Sequence, residues 1–184
     1  MTDLEQMLFA LMATGLIFLQ LACSTANQEP LPTVESLDLD RFMGEWYVIA
    51  NIPTRFERGA HNAVDSYRLD GRRRVATTFT FNDGAFDGPE KRFEPRGFVR
   101  ENSGNAIWGM QFVWPIKAEY RVMYVDSEYH TTIVGRSKRD FVWIMAREPE
   151  LPDEELERLI SLVVDAGYER DAIELVPPRW DCGW

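Results

Sequence analysis

The stretch Ala106-Ile107-Trp108-Gly109-Met110-Gln111-Phe112-Val113-Trp114 decides the fold. Ala106, Trp108, Met110, Phe112 and Trp114 recur at every second position, with Gly109 and Gln111 between them. That period belongs to a β-strand with one buried face. The next run repeats it, with Tyr120, Val122 and Tyr124 opposite Glu119 and Arg121. Outward from this pair, strand-like runs cover 45–51, 62–69, 74–81, 91–100, 130–134 and 141–147. Asp70-Gly71, Asn82-Asp83-Gly84 and Asn102-Ser103-Gly104-Asn105 punctuate them as turns. Runs spaced about 8–15 residues apart with turn residues between them predict an antiparallel meander of about eight strands.

The two ends of the meander have a different texture. Trp46, Val48 and Ala50 are apolar, but so are Tyr47 and Ile49 between them. Phe141, Trp143 and Met145 likewise alternate with Val142, Ile144 and Ala146. Strands apolar on both faces need cover on both sides. The cover is a helix over 153–166, opened by Pro152 and acidic residues and stopped by Gly167, with Leu156, Leu159, Ile160 and Val163 on one stripe. A closed eight-stranded antiparallel barrel, with this helix outside the seam between first and last strands, satisfies every pattern. Closure also removes sheet edges. A barrel of that size holds either side chains or one small ligand. The two central strands would aim Trp108, Met110, Phe112, Tyr120, Val122 and Tyr124 inward, lining a cavity for an acyl chain or filling the interior. Phe79 and Phe98 are further candidates.

The chain begins differently. Met7 to Ala22 is a 16-residue apolar run, shorter than the ~20 residues that span a bilayer. It ends in Leu21-Ala22-Cys23-Ser24. A short apolar core ending in small residues reads as a secretory signal. The cysteine after Ala22 looks like a bacterial lipoprotein box, in which lipid is attached to the thiol. Gln20 stands where that box usually has Leu or Val, and no Lys or Arg precedes Arg41. An uncleaved anchor and plain secretion are the alternatives. Ser24 to Glu35, polar with two prolines, reads as an extended tether.

The chemistry-bearing residues are few. The 184-residue chain carries a formal net charge of −10, which argues against a nucleic-acid surface. It has two histidines and two cysteines. With Cys23 lipidated, Cys182 is left over, and a Cys182 bridge in an oxidising compartment leaves a homodimer open. No metal-binding or nucleophile motif joins His61, His130 or Cys182. The expectation is a binding protein with no catalytic residue, metal or cofactor. A barrel enzyme using Cys182 or the tyrosines and a structural lipoprotein with a filled barrel are the rival readings. Arg55, Arg58, Arg72, Arg73, Arg74, Arg92, Arg96 and Arg100 crowd the first half. They are solvated hairpin tips or contacts for an anionic group at the barrel mouth.

Three motifs in order resemble the signatures of lipocalins. Phe42-Met43-Gly44-Glu45-Trp46-Tyr47 carries Gly-x-Trp, followed by Arg55-Phe56-Glu57-Arg58-Gly59 in the place of the first large loop. Val125-Asp126-Ser127-Glu128-Tyr129 is similar to the second signature. Trp143-Ile144-Met145-Ala146-Arg147 is similar to the third, whose basic residue packs over the signature tryptophan. With the lipidation signal, the chain resembles the outer-membrane lipoprotein lipocalins of Gram-negative bacteria. The resemblance implies an eight-stranded up-and-down barrel with a cavity for a fatty acid or lysophospholipid. It also implies a cation–π contact between Trp46 and Arg147, with Gly44 allowing close backbone approach. The implied organisation is a signal peptide over 1–22, a lipidated N-terminus and tether over 23–37, the barrel and helix over 38–178, and a tail over 179–184. The protein would sit on the outer membrane through Cys23 and face the periplasm.

Overall fold

A computed structural model describes residues 30–179. A one-turn helix α1 (Leu39–Phe42) leads into β1 (Gly44–Ile52), β2 (Ala60–Leu69), β3 (Arg74–Asp83), β4 (Glu90–Phe93), β5 (Arg96–Val99), β6 (Ile107–Val113), β7 (Ile116–Val125), β8 (Thr131–Gly135) and β9 (Val142–Ala146). Helix α2 (Asp153–Asp165) follows, then a 3-10 turn (Arg170–Ala172) and the short β10 (Glu174–Leu175). From β1 to β9 successive strands pair antiparallel, except that β5 pairs with β3 and not with β4, and β9 returns to pair with β1. β4 and β5 occupy one position, since both pair with β3. The sheet is therefore the expected eight-position closed barrel.

The expected strand over 91–100 is broken at Glu94-Pro95. Proline has no N–H to give a ladder, and only β5, beyond it, reaches β6. β10 repairs another gap. β1 leaves β2 after Tyr47 pairs with Val64; higher up, Ala50 pairs with Leu175 and Val176 N–H donates to Ile49 O at 2.9 Å.

Alternation sorts two hydrophobic clusters. Inside the barrel, Phe42, Trp46, Tyr67, Val75, Trp108 and Val122 pack at one end. Between sheet and helix, Ala50, Ile133, Val142 and Ile144 meet Leu159, Ile160 and Val163. Those three helix side chains are the buried stripe of α2. Burying each aliphatic stabilises the fold by about 1.5–3 kcal/mol, enough to hold a 13-residue helix whose Pro152 N-cap offers no side-chain cap.

The signal peptide over 1–22, Cys23, Cys182 and residues 180–184 lie outside the described residues. The tether reading through residue 37 does not hold for its last part. Leu31 and Leu37 are buried, Val34 N–H donates to Val122 O, and Leu37 N–H donates to Gly104 O. Leu31, Val34 and Leu37 thus pin the segment to β7 and the β5–β6 turn.

Candidate binding site

The barrel is closed at one end by chemistry that starts from Gly-x-Trp. Gly44 sits at φ +97°, and a Cβ there would meet the Arg147 guanidinium at 3.2 Å. Without that Cβ, the Arg147 guanidinium lies over the Trp46 ring at 3.8 Å. It donates to Glu45 O at 2.7 Å, to Arg41 O and Met43 O at 2.8 Å, and to Tyr129 O at 3.3 Å. Trp46 Nε1 donates to Phe42 O at 2.9 Å. Phe42, Tyr67 and Trp108 stack edge to face above this joint, at 5.6 Å and 5.8 Å between centroids. This end is solid.

The other end is hollow. A cavity of about 740 Å³ opens between the β1–β2 loop, the β6–β7 turn and the β8–β9 loop. That volume is in the range of small-molecule sites. Of the six side chains expected inside, Met110, Phe112 and Tyr120 line it. Trp108 and Val122 point inward but belong to the packed floor. Tyr124 is on the outside, against α2, with its hydroxyl accepting from Arg158 at 3.0 Å. The cause is a bulge: the β7–β8 register shifts between Val122 and Tyr124, so strict alternation ends there. Phe79 lines the cavity, whereas Phe98 lies under Lys117 Nζ at 3.7 Å.

The rim is apolar and exposed. Phe112, Val113, Trp114 and Ile116 form the β6–β7 turn, where Trp114 is 82% exposed. Phe56, on the facing loop, is exposed as well. The arginines divide. Arg55 and Arg58 border the mouth. Arg73 pairs with Glu101 at 3.1 Å and Arg96 with Asp70 at 4.0 Å toward the closed end, and Arg92 pairs with Glu94 at 2.8 Å. Arg136, also at the mouth, pairs with Asp140 at 3.3 Å.

The deep half of the cavity holds polar groups that alternation alone does not announce. Tyr120 donates its hydroxyl to Tyr67 at 2.7 Å, and Tyr67 in turn bonds Asp65. Burial, followed by repulsion from Glu57, pushes the Asp65 carboxyl up to about 7. Burial also raises Glu57, against hydrogen bonds from Thr54 and Trp143 that favour its charge. Tyr67 and Tyr120 are raised by burial too. Thr77 lines the same region, and its buried hydroxyl has no hydrogen-bond partner among the described residues. The available signal was parity: Asp65 shares the face of Ala63 and Tyr67, so a charge stood on an apolar stripe.

Among the described residues no group of three or more His, Cys, Asp or Glu could hold a metal. His61 sits on the β2–β3 surface against Phe86, and His130 is exposed near the closed end. Neither lines the cavity.

The lipocalin-like domain family matches residues 37–178. The chain belongs to this family. The lipocalin is 28% identical over 163 residues to outer membrane lipoprotein Blc of Escherichia coli K12, covering 83% of this chain and 86% of the relative. It is 27% identical to temperature-induced lipocalin-1 of Arabidopsis thaliana, covering 82% and 84%. It is 29% identical to bovine apolipoprotein D, covering 75% of each chain. Among solved structures, insecticyanin of the tobacco hornworm Manduca sexta superposes with a TM-score of 0.63 at 15% identity, covering 79% of this lipocalin and 83% of insecticyanin. Lobster apocrustacyanin A1 gives 0.62 at 11% identity, covering 86% and 96%. These two establish the barrel fold alone.

Proposed function

We propose that this lipocalin is a lipid-binding lipoprotein that stores or carries a single fatty acid or lysophospholipid in membrane maintenance. The observation that carries the reading is the cavity of about 740 Å³ bordered by Phe79, Phe93, Met110, Phe112 and Met145. Each methylene withdrawn from water into such a lining contributes roughly 0.8 kcal/mol, so a long chain is held before any headgroup is recognised. The exposed apolar rim at Phe112–Ile116 and Phe56 supports exchange with a lipid surface, because aromatic side chains favour the membrane interface. The protein acts by binding and release, without turnover, metal or cofactor. Lipidation at Cys23 would hold it on the outer membrane facing the periplasm. Similarity to an Escherichia coli protein named as an outer membrane lipoprotein supports that placement.

Displacement of a fluorescent naphthyl probe by hexadecanoate and by a lysophospholipid tests the binding. One-to-one, saturable displacement is expected. Ala118→Phe, which adds bulk to the cavity wall, should weaken it at least tenfold. Absence of saturable binding by any acyl compound would sink the proposal. Intact mass of membrane-purified protein tests the anchor: loss of residues 1–22 and added acyl mass are expected, and a mature N-terminus retaining Met1 or Met7 rejects it.

A further inference from the structure

The cavity carries, in its deep half, polar groups that a tail-first fatty acid would leave unused. Its rim is apolar and exposed at Phe56, Phe112 and Val113. Its deep half presents the Asp65 carboxylate, the Tyr67–Tyr120 hydroxyl pair and the Thr77 hydroxyl. Thr77 is 3% exposed and its Oγ1 has no partner among the described residues. A buried hydroxyl left unpaired costs about 1–3 kcal/mol, which a ligand atom at that point would recover. Asp65 and Glu57 are two acids facing one space, and no ion pair or hydrogen bond among the described residues joins either to Lys or Arg. A buried carboxylate without a cation is costly. Aromatic faces of Tyr67, Phe79, Tyr120 and Trp143 border the same space, and such faces attract cations.

We propose that the deep half of the cavity is a subsite for the ammonium group of an amphiphile, which binds head inward with its hydrocarbon tail along the apolar rim. This deepens the lipid-binding reading and rests on it. The ammonium supplies the cation that Asp65 and Glu57 lack and donates a hydrogen bond to Thr77 Oγ1. A carboxylate head in the same place meets two acids. The arginines of the lining, Arg55, Arg58 and Arg136, stand at the mouth. They would serve the opposite arrangement, with the tail inward and an anion at the rim.

Three probes of one chain length separate these arrangements: dodecylammonium, dodecanol and dodecanoate, each displacing the naphthyl probe at pH 8. Dodecylammonium is expected to bind at least tenfold tighter than dodecanoate, with dodecanol between them. Asp65→Asn should bring that ratio to within about threefold, with an unchanged near-ultraviolet circular dichroism spectrum reporting an intact barrel. Glu57→Gln, on the loop, provides a second variant with a smaller change in the same direction. Equal or tighter binding of dodecanoate overturns the subsite and leaves lipid binding standing, and so does a ratio that neither variant moves. Failure of all three probes overturns lipid binding and the subsite together. Lysophosphatidylethanolamine against lysophosphatidic acid then tells the source: tighter binding of the former places the ammonium on a zwitterionic lipid, and equal binding places it on a simple amine.

Discussion

At the scale of single residues, the Arg147 guanidinium over the Trp46 ring joins two segments a hundred residues apart in the chain. Trp46 is fully buried, so Trp46→Ala should lower stability by about 3–5 kcal/mol, checked by a denaturant melt; a change below ~1 kcal/mol would contradict the joint. Asp65 was not legible as a site, because one acid in a half-polar strand reads as solvated. Its environment gives a second prediction. In the fold it keeps its proton up to about pH 7, whereas an unfolded aspartate releases it near 4. Between those values the folded state binds more protons, so this contribution to stability is full at low pH and is lost as pH rises through 7. Glu57 from the β1–β2 loop, Tyr67 on the same strand and Tyr120 on β7 face it; the tyrosines stay neutral throughout. Asp65→Asn should therefore gain more stability over the parent protein at pH 8 than at pH 5. Equal differences at the two pH values would mean that Asp65 ionises as freely as in water.

At the scale of elements, strands with clear alternation and turn residues were readable, and irregular ones were not. Helix α2 was announced by its cap, its stripe and Gly167, and ends at Asp165, one residue before the expected limit. Leu159 is fully buried beneath it. Leu159→Ala should cost about 2–5 kcal/mol in the same melt, whereas Leu162, outside the buried stripe, should tolerate alanine with less than half that loss. The bulge in β7 defeated the parity argument for Tyr124, since a two-residue period cannot reveal where one strand slips against its neighbour. The β4–β5 break stands in plain view as Glu94-Pro95, but the strand-like run 91–100 reads straight across it. β10 is too short for any periodic signal and forms only because β1 has an unpaired edge beside it.

At the scale of the whole molecule, closure followed from two strands that were apolar on both faces. The hollow half did not follow from alternation, because inward side chains look alike whether they touch one another or leave a space. The difference is that rings from opposite walls meet at the floor, as Tyr67 and Trp108 do, whereas above it they stack along one wall, as Phe79 and Phe93 do on paired strands. The exposed β6–β7 turn leads to a transfer prediction: Trp114→Ser should slow movement of a fluorescent fatty acid between vesicles and protein several-fold, while equilibrium affinity stays within twofold. An unchanged transfer rate would detach the rim from exchange. The Arg147 joint has a kinetic consequence. Its carbonyl partners at Arg41, Met43 and Glu45 lie 102 to 106 residues away along the chain. Closing so long a loop is entropically expensive, and contacts of that span tend to come after local hairpins. Interactions absent from the folding transition state govern how fast the native state is left. Arg147→Lys, which keeps charge but loses the planar fork, should raise the unfolding rate tenfold or more in stopped-flow measurements and leave the folding rate within a factor of two. The joint at the closed end would then set how long each folded molecule survives, not how quickly it is made.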